Sequence, residues 1–187
     1  MSLPGHLPPA REGALAGPER DEAVWRGTIV DLHVAHYRRP DGSSVRREVL
    51  HHMGAVVIVP VHDDHVLMVR QPREAVERYT LELPAGKLDR PDEDPLACAR
   101  RELAEEVGHR ADRWDNWGGF FTAPAILTED IHWFLARELT AVGDAVGDPD
   151  EQIEVVPWPL VDVARLIDRV QDAKSLVGLL RLRALLG

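Results

Sequence analysis

The run Arg100–His109, "RRELAEEVGH", holds Glu102, Glu105 and Glu106 within five positions, with no lysine between them. On a helix, which turns about 100° per residue, Glu102 and Glu106 lie side by side. Glu105 falls further round, and Arg101, four residues before it, is placed to pair with it. Like charges four apart repel by roughly a few tenths of a kcal/mol. Negative charge near a helix C-terminus also opposes the macrodipole. Two chemistries fit such a patch. It is a solvated acidic face, or a set of hard oxygen ligands for a divalent cation such as Mg²⁺, which removes the repulsion. Upstream, "LPAGKLDRPDEDP" puts Gly86 where backbone can approach a ligand closely. The carbonyl of Ala85 could then join Glu102 and Glu106 around a cation.

The element that must carry these groups is a helix over Pro95–Val107. Asp94 caps its first turn, Pro95 suits the first helical position, and Gly108 closes it as a left-handed cap. Leu96, Ala99, Leu103 and Val107 form its apolar stripe, and Cys98 falls outside that stripe. Before the helix, Ile29–Tyr37 and Val45–His51 read as a hairpin turning at Asp41-Gly42. "GAVVIVPV" reads as a buried central strand. "HDDH" turns into the strand "VLMVRQ", and "YTLELPAGKLD" gives another strand ending at Pro84-Ala85-Gly86. After the helix, "WDNWGGFFTAPA" and "DIHWFLARELT" read as strands around a loop, and "IEVVPWPL" as a last strand. "VDVARLIDRV" and "SLVGLLRLRALL" have helical spacing. The expected class is α+β, with helices on a β-sheet. The first twenty-two residues, rich in Pro, Gly and Ala, read as a mobile tail.

Bulk properties narrow the partners. With 187 residues, 44% of them hydrophobic, the chain can build one domain plus a small appendage. A formal net charge of −10 argues against sequence-independent nucleic-acid binding. It does not exclude anionic small molecules, because a bound metal inverts the local field. One cysteine, Cys98, allows no internal disulfide, so a cytoplasmic location is expected. No segment reads as a signal peptide or a membrane span. The nine histidines lack the cysteine partners or helical spacing of a zinc site. Cys98 has no base nearby in sequence, which argues against a nucleophilic role.

The stretch Gly86–His109, "GKLDRPDEDPLACARRELAEEVGH", resembles the Nudix box. That pattern is Gly, five residues, Glu, seven residues, then Arg-Glu-apolar-any-Glu-Glu-any-Gly-apolar. Gly86, Glu93, Arg101, Glu102, Leu103, Glu105, Glu106 and Gly108 match it. The chain departs from it by one extra residue between Gly86 and Glu93, and by His109 at the last apolar position. The insertion falls in the loop "KLDRPD" and should leave the helix register intact. "RREV" at Arg46–Val49, "VRQPRE" at Val69–Glu74, "LELPAGKLD", "TAPAILTED" and "DEQIEVVPWPL" further resemble the ADP-ribose pyrophosphatase branch. Ala125 stands where that branch favours glycine.

The resemblance implies an α/β/α sandwich around a Nudix-like mixed sheet over residues 53–187. A small N-terminal antiparallel β-sheet subdomain over residues 23–52 would swap across a homodimer with shared active sites. It implies Mg²⁺-dependent hydrolysis (Mn²⁺ or another divalent ion may substitute) of ADP-ribose or a related nucleoside diphosphate sugar to AMP and a sugar phosphate. Glu102, Glu105, Glu106 and the Ala85 carbonyl would be metal ligands, with Glu102 and Glu105 also counted as catalytic. Arg101 would pair with Glu93 or Glu105 to hold the carboxylates. Glu129 would be the general base, on a mobile loop. Arg47, Glu48, Arg70, Arg73 and Glu82 would line the substrate site, and Trp25 or Tyr37 could stack on adenine. The rival expectations are another nucleotide diphosphate (a GDP-sugar, NADH or a dinucleoside polyphosphate) and a Nudix module that senses a nucleotide without cleaving it.

Overall fold

Short β-branched runs and one strong turn shape the N-terminal unit. The computed structural model describes residues 16–90, 92–143 and 152–187. Contacts divide the chain into a unit ending at Leu50 and a second from His51 to Gly187. In the first, β1 (Arg20–Arg26), β2 (Val30–Arg38) and β3 (Ser44–His52) form a three-stranded sheet in that order, β3 running two residues past the boundary. The hairpin between β2 and β3 turns where Asp41-Gly42 predicts. Gly42 takes φ 83, and Asp41 Oδ1 accepts both the Ser43 N–H and its hydroxyl, at 2.9 and 2.7 Å. The tail expected over residues 1–22 lies outside the described residues up to position 15. Its end differs from expectation: β1 begins at Arg20, and the Glu19 N–H already donates to the His36 carbonyl at 2.8 Å. Antiparallel pairing with β2 orders residues whose own sequence shows no period.

The second unit is built on a seven-stranded mixed sheet. The strands are β4 (Ala55–His62), β5 (His65–Arg73), β6 (Arg78–Glu82), β7 (Ala85–Lys87), β8 (His109–Phe121), β9 (Asp130–Ala141) and β10 (Glu154–Pro159). The main order is β10-β5-β4-β9-β8, with β6 on β5 and β7 on β4. Strand β4 is central, as its continuous apolar run predicts. It runs parallel to β9 and antiparallel to β5 and β7. "YTLELPAGKLD" was expected as one strand and is two. β6 pairs with β5, then Pro84 breaks the donor row and β7 moves over to β4. The Pro84 carbonyl still accepts the Ile58 N–H at 2.9 Å, which keeps the crossing point fixed.

Strand alternation sorts the core into two layers. Val56 and Ile58 pack with Leu67, Val69, Leu103 and Phe134 on one face of the sheet. Val57 and Val59 pack with Met68, Trp133, Leu166 and Leu179 on the other. The first face is covered by α1 (Pro95–Val107), the second by α2 (Val163–Ile167) and α3 (Ala173–Leu186). The result is the expected α/β/α sandwich. Among the described residues no helix is long and apolar enough to cross a membrane.

Helix α1 has the expected bounds because both its ends are chemically fixed. Asp94 accepts from the N–H groups of Leu96 and Ala97 at 3.0 and 3.1 Å, and Gly108 closes the helix at φ 68. Ala99, Leu103 and Val107 are buried against the sheet, as the stripe predicts. Cys98 corrects the expectation that it lies outside the buried face. It is fully buried, and its Sγ donates to the Lys87 carbonyl at 3.4 Å, because the loop before the helix folds over that side. Burial pushes its thiol up to about 12, so it remains an unreactive thiol. Leu103 is the central anchor of the helix, and Leu103→Ala is expected to cost about 2–5 kcal/mol of unfolding free energy in urea titration.

Candidate active site

The last turns of α1 and the strand β7 face each other, and Gly86 lets them meet. A Cβ on Gly86 would lie 2.0 Å from the Glu102 carboxylate carbon, so no other residue leaves that carboxylate where it is. One residue earlier, the Ala85 N–H donates to Glu106 Oε2 at 3.1 Å. Glu106 is 4% exposed, unusual for a glutamate. Two carboxylates four residues apart are thus drawn against one short strand instead of spreading into solvent.

Arg101 holds the acidic groups together. Its Nε and Nη2 fork onto both oxygens of Glu93, each at 3.1 Å. Its Nη1 donates to Glu102 Oε1 at 2.5 Å and to Glu105 Oε2 at 3.0 Å. The expected choice between Glu93 and Glu105 is not a choice: one guanidinium serves both and Glu102 as well. Its side chain is only 14% exposed, so these bonds are shielded from water. The Arg101 pKa is raised, first by the bond to Glu93, against the cost of burial, and then by Glu102 and Glu105. Glu93 is correspondingly held below the usual carboxylate range by Arg101. The extra residue between Gly86 and Glu93 is absorbed in the loop. Asp92 there takes φ 58, and Asp89 approaches Arg101 at 3.7 Å. Glu93 still reaches its arginine, so the helix register survives.

Two expected substrate residues are each other's partner. Arg73 Nε and Nη2 bind Glu82 Oε1 and Oε2 at 2.8 and 2.7 Å. Glu82 is 2% exposed and also receives Lys174 Nζ and the Thr80 hydroxyl. Burial alone would raise the Glu82 pKa, yet Arg73, Lys174 and Thr80 together bring it down to about 2. Glu106 contributes to raising the Arg73 pKa, so the Arg73–Glu82 pair and the acidic rim share one electrostatic neighbourhood. Lys174 was not singled out in the sequence. It lies 92 positions from Glu82, and nothing local signals that meeting.

Arg70 sits elsewhere. On β5 it alternates with Val69 and Gln71 and pairs across to Leu81 and Glu154, which puts it on the sheet face away from α1. Its guanidinium binds Glu154 Oε2 at 2.6 Å and lies 5.7 Å from the Tyr79 ring centre. In the N-terminal unit, Arg47 donates to the Arg46 carbonyl and Glu48 pairs with Arg46, both exposed. Trp25 folds back onto Gly27.

Glu129 belongs to a second cluster, on the loop between β8 and β9. Its Oε2 accepts the Thr122 hydroxyl at 2.7 Å, and His52 Nδ1 lies 3.5 Å from its Oε1. In this loop the Ala123 carbonyl accepts the N–H groups of Ile126 and Leu127. Ala125 is not among the residues with positive φ, so alanine is tolerated where glycine was expected.

The donor types suit a divalent metal. Glu102, Glu105 and Glu106 offer hard oxygen donors, and the missing Cβ of Gly86 leaves the Glu102 carboxylate its place beside the backbone.

Comparisons with known proteins find similar chains. Residues 51–178 match the NUDIX domain model. An ADP-ribose pyrophosphatase of Bacillus subtilis (strain 168) is 37% identical over 158 residues, 82% of this chain and 85% of that one. A GDP-mannose pyrophosphatase of Cronobacter sakazakii (strain ATCC BAA-894) is 31% identical over 174 residues, 86% of this chain and 87% of that one. The crystal structure of an ADP compounds hydrolase superposes with a TM-score of 0.80 at 26% identity, covering 94% of this chain and 97% of the other.

The Glu82 cluster has a pH signature. Its folded pKa of about 2 lies below the ordinary 4.5, so its stabilisation is complete above that ordinary value and lost as pH falls towards 2. Urea titrations across this window should show a steep loss for wild type. Glu82→Gln, already weaker at pH 7, should lose less; parallel curves would contradict the assignment.

Proposed function

Because the chain belongs to the NUDIX family and is a hydrolase of its pyrophosphatase type, we propose that it hydrolyses the pyrophosphate bond of ADP-ribose or a related nucleoside diphosphate sugar. The products are AMP and a sugar phosphate. The observation that carries this reading is the convergence of Glu102 on Gly86 and of Glu106 on the Ala85 amide, with Arg101 clamping Glu93, Glu102 and Glu105. The ADP-ribose pyrophosphatase relative, matched over 85% of its length, supports the substrate class.

Glu102 and Glu106 would hold Mg²⁺ or Mn²⁺, with Glu105 and the Ala85 carbonyl assisting. A divalent ion bound there neutralises the diphosphate and makes a water molecule more acidic. Glu129 takes the proton from the attacking water. A new P–O bond forms as the bridging P–O bond breaks, and the two phosphates separate. Arg101 holds the Glu102 and Glu105 carboxylates in place without touching substrate. Arg73 would present its guanidinium to the ribose or a phosphate, and the buried Glu82 would serve by holding it. Arg70 would contribute only where a substrate extends round to the other sheet face. Arg47 and Glu48 would act through a homodimer, each contributing to the partner's site.

A second reading is supported by the GDP-mannose pyrophosphatase relative, which is matched over 86% of the chain at the lower identity of 31%. It keeps the same chemistry and changes the base and sugar. A panel of ADP-ribose, GDP-mannose, NADH and dinucleoside polyphosphates, ranked by kcat/KM, separates the two. ADP-ribose is expected to rank first and to yield AMP. Glu102→Gln should lower kcat at least ~100-fold with Mg²⁺ or Mn²⁺. An equal rate in the variant would refute the ligand assignment, and binding of ADP-ribose without turnover under either metal would favour a nucleotide-sensing module.

A further inference from the structure

The first turn of α3 is fixed to the sheet by its backbone and by one hydroxyl. The Leu83 N–H donates to the Ser175 hydroxyl oxygen at 2.7 Å, and Ser175 is fully buried. The Trp133 Nε1–H donates to the Lys174 carbonyl at 3.2 Å. Asp172 caps the helix, accepting the Ser175 N–H at 2.9 Å and its hydroxyl at 2.5 Å.

From that frame the Lys174 ammonium reaches Glu82. It donates to Glu82 Oε2 and, at 2.9 Å, to Asp172 Oδ2. The Thr80 hydroxyl donates to Glu82 Oε1 at 2.5 Å. Each oxygen of Glu82 therefore has a donor besides Arg73. Side-chain exposure is 3% for Glu82, 16% for Lys174 and 41% for Arg73. The carboxylate is a buried post, and Arg73 is the exposed arm tied to it through Nε and Nη2. That fork leaves the Nη1 edge of the guanidinium for a ligand. The Arg73 pKa is raised first by the bond to Glu82, against burial, and then by the charges of Glu82, Glu106 and Asp172. The guanidinium thus lies within electrostatic reach of Glu106 in the acidic rim.

Charge decides what Lys174 adds. A buried carboxylate with Arg73 as its sole cation would hold that arginine as a counter-ion, and drawing it towards an anionic ligand would strip a buried charge. With Lys174 on the same carboxylate, Glu82 stays answered and Arg73 can share its charge with a ligand. We infer that Lys174 is a positioning residue for substrate binding: by holding Glu82 from α3, it sets Arg73 towards an anionic substrate without itself touching that substrate. This rests on the reading of Arg73 as a substrate-binding residue of a nucleoside diphosphate hydrolase.

The test is steady-state kinetics on ADP-ribose with Mn²⁺, beside calorimetric binding of ADP-ribose without metal. Lys174→Met should raise KM and Kd about 10-fold while kcat changes less than about twofold. Lys174→Arg, which keeps the charge, should recover part of the loss. In an Arg73→Ala background, Lys174→Met should raise KM no further, because its effect runs through Arg73. A merely structural role would multiply the two losses, and that result would overturn the inference. So would a raised KM in Arg73→Ala with none in Lys174→Met, or a fall in kcat with KM kept. An unchanged KM in Arg73→Ala would overturn the reading of Arg73 and this inference with it. A wild type that binds ADP-ribose without turnover would refute the hydrolase reading alone, and the Kd comparison would still decide the role of Lys174. A wild type that does not bind it would overturn both. If Lys174→Met does not fold, Lys174→Gln keeps the length and loses the charge, and the same rise in KM is expected of it.

Discussion

Four glutamates crowd the end of α1 and the loop before it, and one guanidinium reconciles three of them. Arg101 forks onto Glu93 and reaches Glu102 and Glu105 from a largely buried position. Without it, neighbouring carboxylates at the negative end of a helix would repel and swing into solvent. With it, Glu93, Glu102 and Glu105 are each held by a hydrogen bond to the same guanidinium. The fourth, Glu106, has a different support, the Ala85 amide. The acidic rim is therefore held by one arginine and one short strand.

The sheet makes that arrangement possible. Strand β4 is buried on both faces, so α1 can press on one side while α2 and α3 cover the other. β7 is recruited to β4 by the break at Pro84, and this brings Gly86 beneath Glu102. A second polar centre, Glu82 with Arg73 and Lys174, fastens the start of α3 to β6. The Leu83 N–H adds a bond to the Ser175 hydroxyl at 2.7 Å. Such buried charges persist only because each is answered by another.

The helix was fully legible in the sequence, because its cap, its first proline, its apolar stripe and its closing glycine are local signals. So was the spacing of its carboxylates, since a helical wheel places Glu102 and Glu106 side by side. The hairpin at Asp41-Gly42 was legible for the same reason. What the sequence concealed depends on distant partners. The burial of Cys98 requires the preceding loop to fold back, and the split of β6 from β7 requires two different neighbouring strands. The Lys174–Glu82 contact and the His52–Thr128 hydrogen bond join residues 92 and 76 positions apart, beyond any periodic pattern. Arg70 and Arg73 looked equivalent in sequence, and only strand alternation sends them to opposite faces.

Calorimetric titration of Mn²⁺ into wild type and Gly86→Ala tests most directly whether the rim of α1 and β7 is a divalent-metal site. The atoms nearest the added methyl are Cγ, Cδ and Oε1 of the Glu102 side chain and not backbone, so the fold should persist. Wild type should bind Mn²⁺, and the variant should bind it at least ~10-fold more weakly. Equal Mn²⁺ affinity in two folded proteins would contradict the claim.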